Sequence, residues 1–336
     1  MEDRIKWIDN AKGLAILMVI IGHTCGDIVD IIDLRFVYGV HLVVFFLISG
    51  YTFNISKYSK NYLIKKLKKL MMPYAVTCLA VCIMDLINNY IDNKDSNVVT
   101  RSIVIDIIRS AWASGSDTRI FFWDIGTKIG AIWFLPALFI ALLVFATIVS
   151  WKENDYIIAI VCFFLGGVAH YSAEVFWLPL SIQAALYSLP YICIGYIVRK
   201  HNALCGVQRI HYIGACFVLI WGIKHGYCFV NFAKATSAYF PISMVIGLSG
   251  ALIVFGVSNI IRLGVISRIG RLSLYVLCFH LFCLNTLGKY ISKFVWRFSS
   301  DIHVNTIMFM IFHIVFATVG AMVYNFSKVC LSRNLR

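Results

Sequence analysis

The sequence has few charged residues and few prolines for its length. Charged side chains make up 14% of its 336 residues, against 60% for hydrophobic types, and there are 5 prolines. A soluble domain of this size would not show this composition, so the chain is predicted to be an integral membrane protein. The prolines also show no matching pattern in two halves of the chain, which speaks against the inverted repeats of many transporters.

The sequence has no C-x-x-C pair, although it contains 11 cysteines. They are spread singly and lie mostly within apolar runs, as expected for reduced, small hydrophobic side chains. Neither a disulfide framework nor a metal site is predicted. Acidic residues are scarce as well, since 16 Asp and Glu stand against 30 Lys and Arg. The basic residues lie in loops between apolar segments, which indicates contact with membrane lipids, and no nucleic-acid partner is predicted.

Long apolar segments recur along the whole chain. A membrane-spanning helix needs roughly 17 to 25 mostly apolar residues, and we predict about ten of them, at roughly 9–28, 36–55, 70–91, 129–150, 155–172, 180–198, 211–229, 240–259, 272–292 and 304–327. The sequence therefore predicts an all-α, polytopic membrane protein with a single domain over residues 1–336. Most Lys and Arg residues fall on the side of the N-terminus, which predicts that both termini are cytoplasmic.

The longest predicted loop covers residues 92–128. Within it, apolar residues from Val104 to Trp112 recur at helical spacing opposite charged ones, which predicts an amphipathic helix on the outer surface. A solvated connector and a lid over an acceptor site are both compatible with this pattern.

The first two segments carry three ionisable side chains where lipid is expected. Lys12 and His23 are eleven residues apart, which on a helix is about 16 Å and about three turns plus roughly 20°, so they share one face. His41 enters the next segment, and antiparallel packing would bring it to the depth of His23. Ionisable groups are costly inside a bilayer, so each is a candidate functional residue. Together they predict a pocket with a cation at one end and two imidazoles at the other.

Six motifs follow one another along nearly the whole chain. They are Lys12 to His23, His41 to Tyr51, KKLKKLMMPY (Lys65 to Tyr74), IWFLPALF (Ile132 to Phe139), LPYICIGY (Leu189 to Tyr196) and IGRLSLYVLCFH (Ile269 to His280). In type and order they resemble the acyltransferase 3 family of integral-membrane acyltransferases, in the form without an appended extracytoplasmic domain. That family most often has arginine at the position of Lys12, and lysine keeps the charge but loses the bidentate fork.

The resemblance implies an enzyme of the bacterial plasma membrane that moves an acyl group, usually acetyl from acetyl-CoA, to a carbohydrate hydroxyl. The acceptor is expected to be a cell-surface glycan or its lipid-linked precursor. Lys66 and Lys69, helped by Arg271, are expected to bind the phosphates of coenzyme A, with Lys12 near the entrance. The sequence leaves the identity of the acceptor and the oligomeric state open.

Acyl transfer to a hydroxyl needs a base and a group that stabilises the oxyanion. His23 is the candidate base, because an imidazole can accept a proton near neutral pH, and His41 is expected to orient it or to donate to the oxyanion. A two-step route through a transiently acetylated histidine is equally compatible with the sequence.

The remaining candidates are supporting residues. Asp9 lies one turn from Lys12 and is expected to orient it, and further pocket positions are expected at Ser49, Tyr51, Trp133, Tyr275 and His280. His313 has no motif around it and is expected to serve packing. The alternative function is a transporter or flippase for a glycolipid or small metabolite, since such proteins also bury cations and histidines along a substrate path.

Overall fold

The computed structural model describes residues 5–25, 35–92, 95–116, 119–120, 123–124, 129–151, 154–261 and 263–334. Within these residues the chain is almost entirely helical, which confirms the all-α class. The helices are α1 (Lys6–Thr24), α2 (Arg35–Tyr51), α3 (Lys60–Ile91), α4 (Ser96–Trp112), α5 (Phe134–Trp151), α6 (Asp155–Ser172), α7 (Ile182–Tyr187), α8 (Leu189–Lys200), α9 (Arg209–Lys224), α10 (Ile242–Ile260), α11 (Gly264–Arg271), α12 (Ser273–Phe282), α13 (Gly288–Val295) and α14 (Ile302–Asn334).

Two short antiparallel hairpins join some of the helices. Strand β1 (Arg119–Ile120) pairs with β2 (Trp123–Asp124), and β3 (Val230–Asn231) pairs with β4 (Thr236–Ser237). A single π-helical turn, Cys283–Leu287, joins α12 to α13.

Each of the predicted apolar segments contains a helix. Of those within the described parts of the chain, six are long and apolar enough to cross a membrane: α3, α5 with the turn before it, α6, α10, α12 with α13, and α14. Helix α2 is apolar but shorter, and α7 and α8 would form one further span. The chain is therefore a helical membrane protein, while the count of about ten spans and their orientation stay predictions.

The sixth predicted span is broken. Helices α7 and α8 are bent by 50° relative to each other. Pro190 is the second residue of α8, and a proline there cannot donate a backbone hydrogen bond to the preceding turn. The Ser188 hydroxyl at the break donates to the carbonyl of Ala185 at 2.7 Å.

Helix α4 confirms that the long predicted loop contains a helix, but its faces are reversed from the expectation. Asp106 is buried and accepts a hydrogen bond from Arg109 at 2.9 Å, whereas Ile107 is exposed. The polar side of α4 packs on α3, where the Asn89 amide donates to the Ser102 hydroxyl at 3.0 Å. Because α3 supplies polar partners, the apolar face is left outward, as in a helix that faces lipid.

The chain folds into two compact units that are interleaved in the sequence. The first takes Met1–Val44, Ala215–Cys228 and Ile246–Arg336, and the second takes Phe45–Gly214 and Phe229–Val245. Each is described below by itself.

In the first unit, α1 and α11 run antiparallel with their backbones in contact. A Cβ atom on Gly13 would lie 2.3 Å from the carbonyl oxygen of Ile266, and one on Gly270 would lie 1.7 Å from that of Asp9. Only glycine allows this approach, which is a common device between membrane helices.

In the second unit, the end of α2 packs equally closely on α8. A Cβ on Gly50 would lie 1.9 Å from the carbonyl oxygen of Ile192, and one on Gly195 would lie 2.1 Å from that of Leu47. Phe46 completes this core with its ring centre 5.3 Å from that of Phe134. Ser49, Gly50 and Tyr51 are therefore the last residues of helix α2, and Gly50 serves helix packing.

Candidate active site

Helix α1 carries Asp9, Lys12 and His23 without a break between them. The predicted separation of about 16 Å between Lys12 and His23 therefore applies along its axis. Asp9 is buried, Lys12 is half-buried, and the imidazole of His23 is exposed on the last turn. The imidazole is thus the most exposed of these three side chains.

The first turns of α1 are fixed to the end of α10. The side-chain amide of Asn10 is buried and donates to the carbonyl oxygens of Ser258 and Ile261, each at 2.9 Å. The last carbonyls of a helix have no partner within that helix, so the asparagine side chain supplies one. This contact holds the start of α1 in place.

The start of α1 also lies beside Arg271. Gly270 contacts the backbone of Asp9, and Arg271, the exposed last residue of α11, follows it directly. Lys12 is one turn beyond Asp9, so Lys12 and Arg271 place two cationic side chains at the same end of the first unit.

At the other end of α1, four imidazoles and a phenol from four helices lie in series. The ring centre of His23 is 6.0 Å from that of Tyr38 in α2 and 5.9 Å from that of His280 in α12. Tyr38 is 5.8 Å from His41, and His280 is 5.7 Å from His313 in α14. The structure thus brings His23 and His41 into one cluster, as predicted, and adds Tyr38, His280 and His313 to it.

Two hydrogen bonds orient the α2 side of this cluster. The Tyr38 hydroxyl donates to the carbonyl of Gly22, and Nδ1 of His41 lies against the carbonyl of Val37. Because a carbonyl only accepts, Nδ1 of His41 carries the proton, and Nε2 of the neutral ring is then an acceptor. In this tautomer His41 has no second N–H to donate to an oxyanion.

The opposite side of the cluster is wholly buried. His280 and His313 are both 0% exposed. Among the residues that the structure describes, none gives a hydrogen bond to either ring nitrogen of His280 or of His313. His313 was expected to serve packing, and the structure places its ring next to that of His280.

In the second unit, Lys66 sits between two tyrosines. Its ammonium donates to the Tyr58 hydroxyl at 2.9 Å and lies 5.1 and 5.4 Å from the ring centres of Tyr58 and Tyr62. Burial, and to a smaller extent the neighbouring Tyr62, raises the pKa of Tyr58 well above its usual range, so this hydroxyl stays protonated. The ammonium of Lys66 is thus bound by Tyr58 and Tyr62, whereas Lys69, one turn later, is exposed.

The other predicted positions in this unit have structural partners. The Tyr51 ring lies 5.2 Å from the guanidinium of Arg199, which also donates to its hydroxyl at 3.3 Å. The Ser49 hydroxyl donates to the carbonyl of Phe45 at 2.7 Å. Trp133 is buried, with its indole against Gly115, where a Cβ would lie 2.1 Å from the ring.

Tyr275, a predicted pocket position, lies on the first turn of α12. Its ring centre is 4.8 Å from that of Tyr324, and its hydroxyl is 3.4 Å from the ammonium of Lys328.

The described part of the chain contains no group of three or more His, Cys, Asp or Glu side chains placed to hold a metal ion.

Comparison with protein families decides the class. The model of the acyltransferase 3 family, described as an acyltransferase domain, matches residues 5–326, which is nearly the whole chain. The chain belongs to the acyltransferase 3 family. No curated protein matches it with significance, and no solved structure does.

As a member of the acyltransferase 3 family, the chain is a multi-pass membrane acyltransferase. The motifs recognised in its sequence all lie within the matched residues, and so do the members of the imidazole cluster. Tyr38 and His313 are the cluster members that sequence reasoning missed. Tyr38 could have been found, since it lies one helical turn before His41 on the same face, whereas nothing in the sequence around His313 indicates its neighbours.

Proposed function

We propose that this member of the acyltransferase 3 family transfers an acetyl group from acetyl-CoA to a hydroxyl of a cell-surface glycan or its lipid-linked precursor. The observation that carries this proposal is the exposed imidazole of His23, which shares one unbroken helix with a cation, Lys12. We further propose the bacterial plasma membrane as its location, with both termini on the cytoplasmic side.

The donor is proposed to bind along α1. Lys12 and Arg271 supply two cationic side chains near the start of this helix, where diphosphate oxygens are favourable partners. The extended pantetheine arm then runs along the helix and presents the thioester near His23, about 16 Å away. Lys69 keeps its expected role as a phosphate ligand, because its side chain is exposed. Lys66 is less suited to this role, because its ammonium already contacts Tyr58 and Tyr62.

In the proposed reaction, His23 removes the proton from the acceptor hydroxyl while the oxygen attacks the thioester carbon. The C–O bond forms, the C–S bond breaks, and the thiolate of coenzyme A takes the proton from the His23 imidazolium. The products are an O-acetyl ester and coenzyme A, so the protons balance without an external acid. A two-step route through acetyl-His23 gives the same products.

The test is transfer from radiolabelled acetyl-CoA by the purified protein in nanodiscs, first without acceptor and then with a panel of glycans. His23→Ala should abolish transfer, and Lys12→Ala should raise the KM for acetyl-CoA. Two exposed residues of the first unit provide matched controls, since His225→Ala and Lys6→Ala remove the same chemical groups elsewhere. Full activity of His23→Ala would exclude His23 as the base, and absence of any acetyl-CoA turnover would exclude the proposed donor.

The proposed orientation has its own test. Cys205 is exposed between α8 and α9, in a connection that the proposed topology places in the cytoplasm. A membrane-impermeant maleimide should label it in inverted vesicles and not in intact cells, with Cys205→Ser as the control. Labelling in intact cells would show that this connection lies outside the cell, which contradicts the proposed orientation.

A further inference from the structure

The buried pair of His280 and His313 has a hydrogen-bonding requirement that the described residues do not meet. A neutral imidazole has one N–H donor and one acceptor nitrogen. All four ring nitrogens of this pair lack a partner among the described residues, and both side chains are fully buried. Buried polar groups are normally hydrogen-bonded, and the exceptions call for an explanation.

The ring separations are those of imidazoles that are almost in hydrogen-bonding contact. An imidazole nitrogen lies about 1.1 Å from its ring centre, so an N–H···N bond of about 2.9 Å joins rings whose centres are about 5.1 Å apart. The observed distances are 5.9 Å from His23 to His280 and 5.7 Å from His280 to His313. A closure of about 0.6–0.8 Å, with rotation of the rings, joins all three.

The proposed function of His23 determines which ring donates and which ring accepts in this series of imidazoles. A base must present a lone pair to the acceptor hydroxyl, so its other ring nitrogen carries a hydrogen that needs an acceptor of its own. His280 lies beside His23 and has an acceptor nitrogen to offer. His280 then donates its own N–H to His313, whose ring centre is 4.3 Å from that of Phe309.

We propose that His280 and His313 are positioning residues that, together with His23, form a relay of three imidazoles. This proposal rests on the proposed function of His23 as the base. His280 holds His23 in the tautomer that exposes a lone pair, and it accepts the N–H of the His23 imidazolium when the proton has been taken. His313 holds His280 in the matching tautomer. His280 thus stands where serine hydrolases place a carboxylate, with no negative charge buried in the membrane.

The experiment compares each histidine with an isosteric ring that has no nitrogen and with an amide that keeps a donor and an acceptor. His280→Phe should lower kcat about 10- to 100-fold, less than the 10²- to 10⁴-fold that a general base supplies, with the KM for acetyl-CoA changed less than about twofold. His313→Phe should lower kcat in the same way. His280→Gln and His313→Gln should recover most of the loss and also serve where a phenylalanine variant does not fold.

Phe309→Leu is the packing control for His313, because it removes the aromatic contact and leaves the nitrogens in place. It should keep near wild-type kcat. The relay also predicts non-additivity, so adding His280→Phe to His23→Ala should cause no further loss in the residual rate.

The relay and the proposed function fail in different ways. If His23→Ala is inactive while His280→Phe and His313→Phe keep full kcat, the relay is wrong, but His23 is still supported as the base. If Phe309→Leu lowers kcat as much as His313→Phe, the pair serves packing and the relay is again wrong. If His23→Ala is fully active, the proposed function itself falls.

Discussion

Replacing Gly270 by alanine would test the backbone contact that fixes the start of α1. The new Cβ atom would lie 1.7 Å from the carbonyl oxygen of Asp9 and 2.7 Å from the amide nitrogen of Gly13. Ordinary van der Waals contact begins at about 3.4 Å, so α1 and α11 would have to separate by about 1.7 Å at this point. Both atoms that the Cβ meets belong to the backbone, and no side chain can rotate away to make room.

The expected cost follows from these distances. Overpacking in a well-packed interior costs about 1–3 kcal/mol, and a contact with backbone atoms belongs at the upper end. Alanine in a helix recovers about 0.5–1 kcal/mol relative to glycine, which leaves a net loss of about 2 kcal/mol. At about 2–4 °C per kcal/mol for chains of 150–250 residues, the midpoint of thermal unfolding should fall by about 4–8 °C.

The matched control is Gly264→Ala in the same helix, where a Cβ would meet no atom within 4 Å. Thermal unfolding of both variants in one detergent, at one heating rate, measures the difference. Gly264→Ala should be at least as stable as the wild type, because it gains the helix preference of alanine without a clash. Gly270→Ala should also need more acetyl-CoA, because α1 carries Lys12. Equal midpoints for the two variants would refute the close contact between α1 and α11.

Further substitutions separate structural from functional contacts. Asn10→Ala removes two hydrogen bonds of 2.9 Å to the end of α10 and should cost about 1–3 kcal/mol in thermal unfolding, with the exposed Asn61→Ala as the neutral control. Lys66→Ala should lower the midpoint of thermal unfolding, because the contacts with Tyr58 and Tyr62 are lost. Lys69→Ala should keep the midpoint and raise the KM for acetyl-CoA. If instead Lys66→Ala raises this KM and Lys69→Ala does not, Lys66 is the phosphate ligand. Tyr38→Phe keeps the ring beside His23 but loses the bond to the Gly22 carbonyl, and it should lower kcat about tenfold without changing that KM; unchanged kcat would remove Tyr38 from the site.

The helical segments could be predicted from the sequence because length and hydrophobicity are local properties. The exceptions arise where another part of the chain decides. Residues 264–271 are basic and were expected to form a loop, but two glycines let them pack as helix α11 on α1. Asp106 on the polar face of α4 was expected to face water, and it is buried on the side of α4 where Asn89 of α3 bonds to Ser102.

The candidate site was predictable to the extent that it lies within one or two neighbouring helices. Spacing along α1 is enough to place Lys12 and His23 on one face, and the short connection to α2 brings His41 near them. His313 is nearly 300 residues from His23, and only the packing of α12 with α14 shows that they belong to one cluster. The contacts of Lys66 could not be predicted from helix spacing either, because Tyr58 lies in the turn before α3 and not in the same helix.

The interleaving of the two units has a consequence for how the protein is made. His23 emerges from the ribosome among the first residues, but α12 and α14, which carry His280 and His313, belong to the last quarter of the chain. Most of the second unit, Phe45–Gly214, is synthesised in between and can pack while the first unit is still incomplete. The imidazole cluster therefore forms only once translation is almost finished, so a nascent chain in the membrane does not yet contain the assembled candidate site.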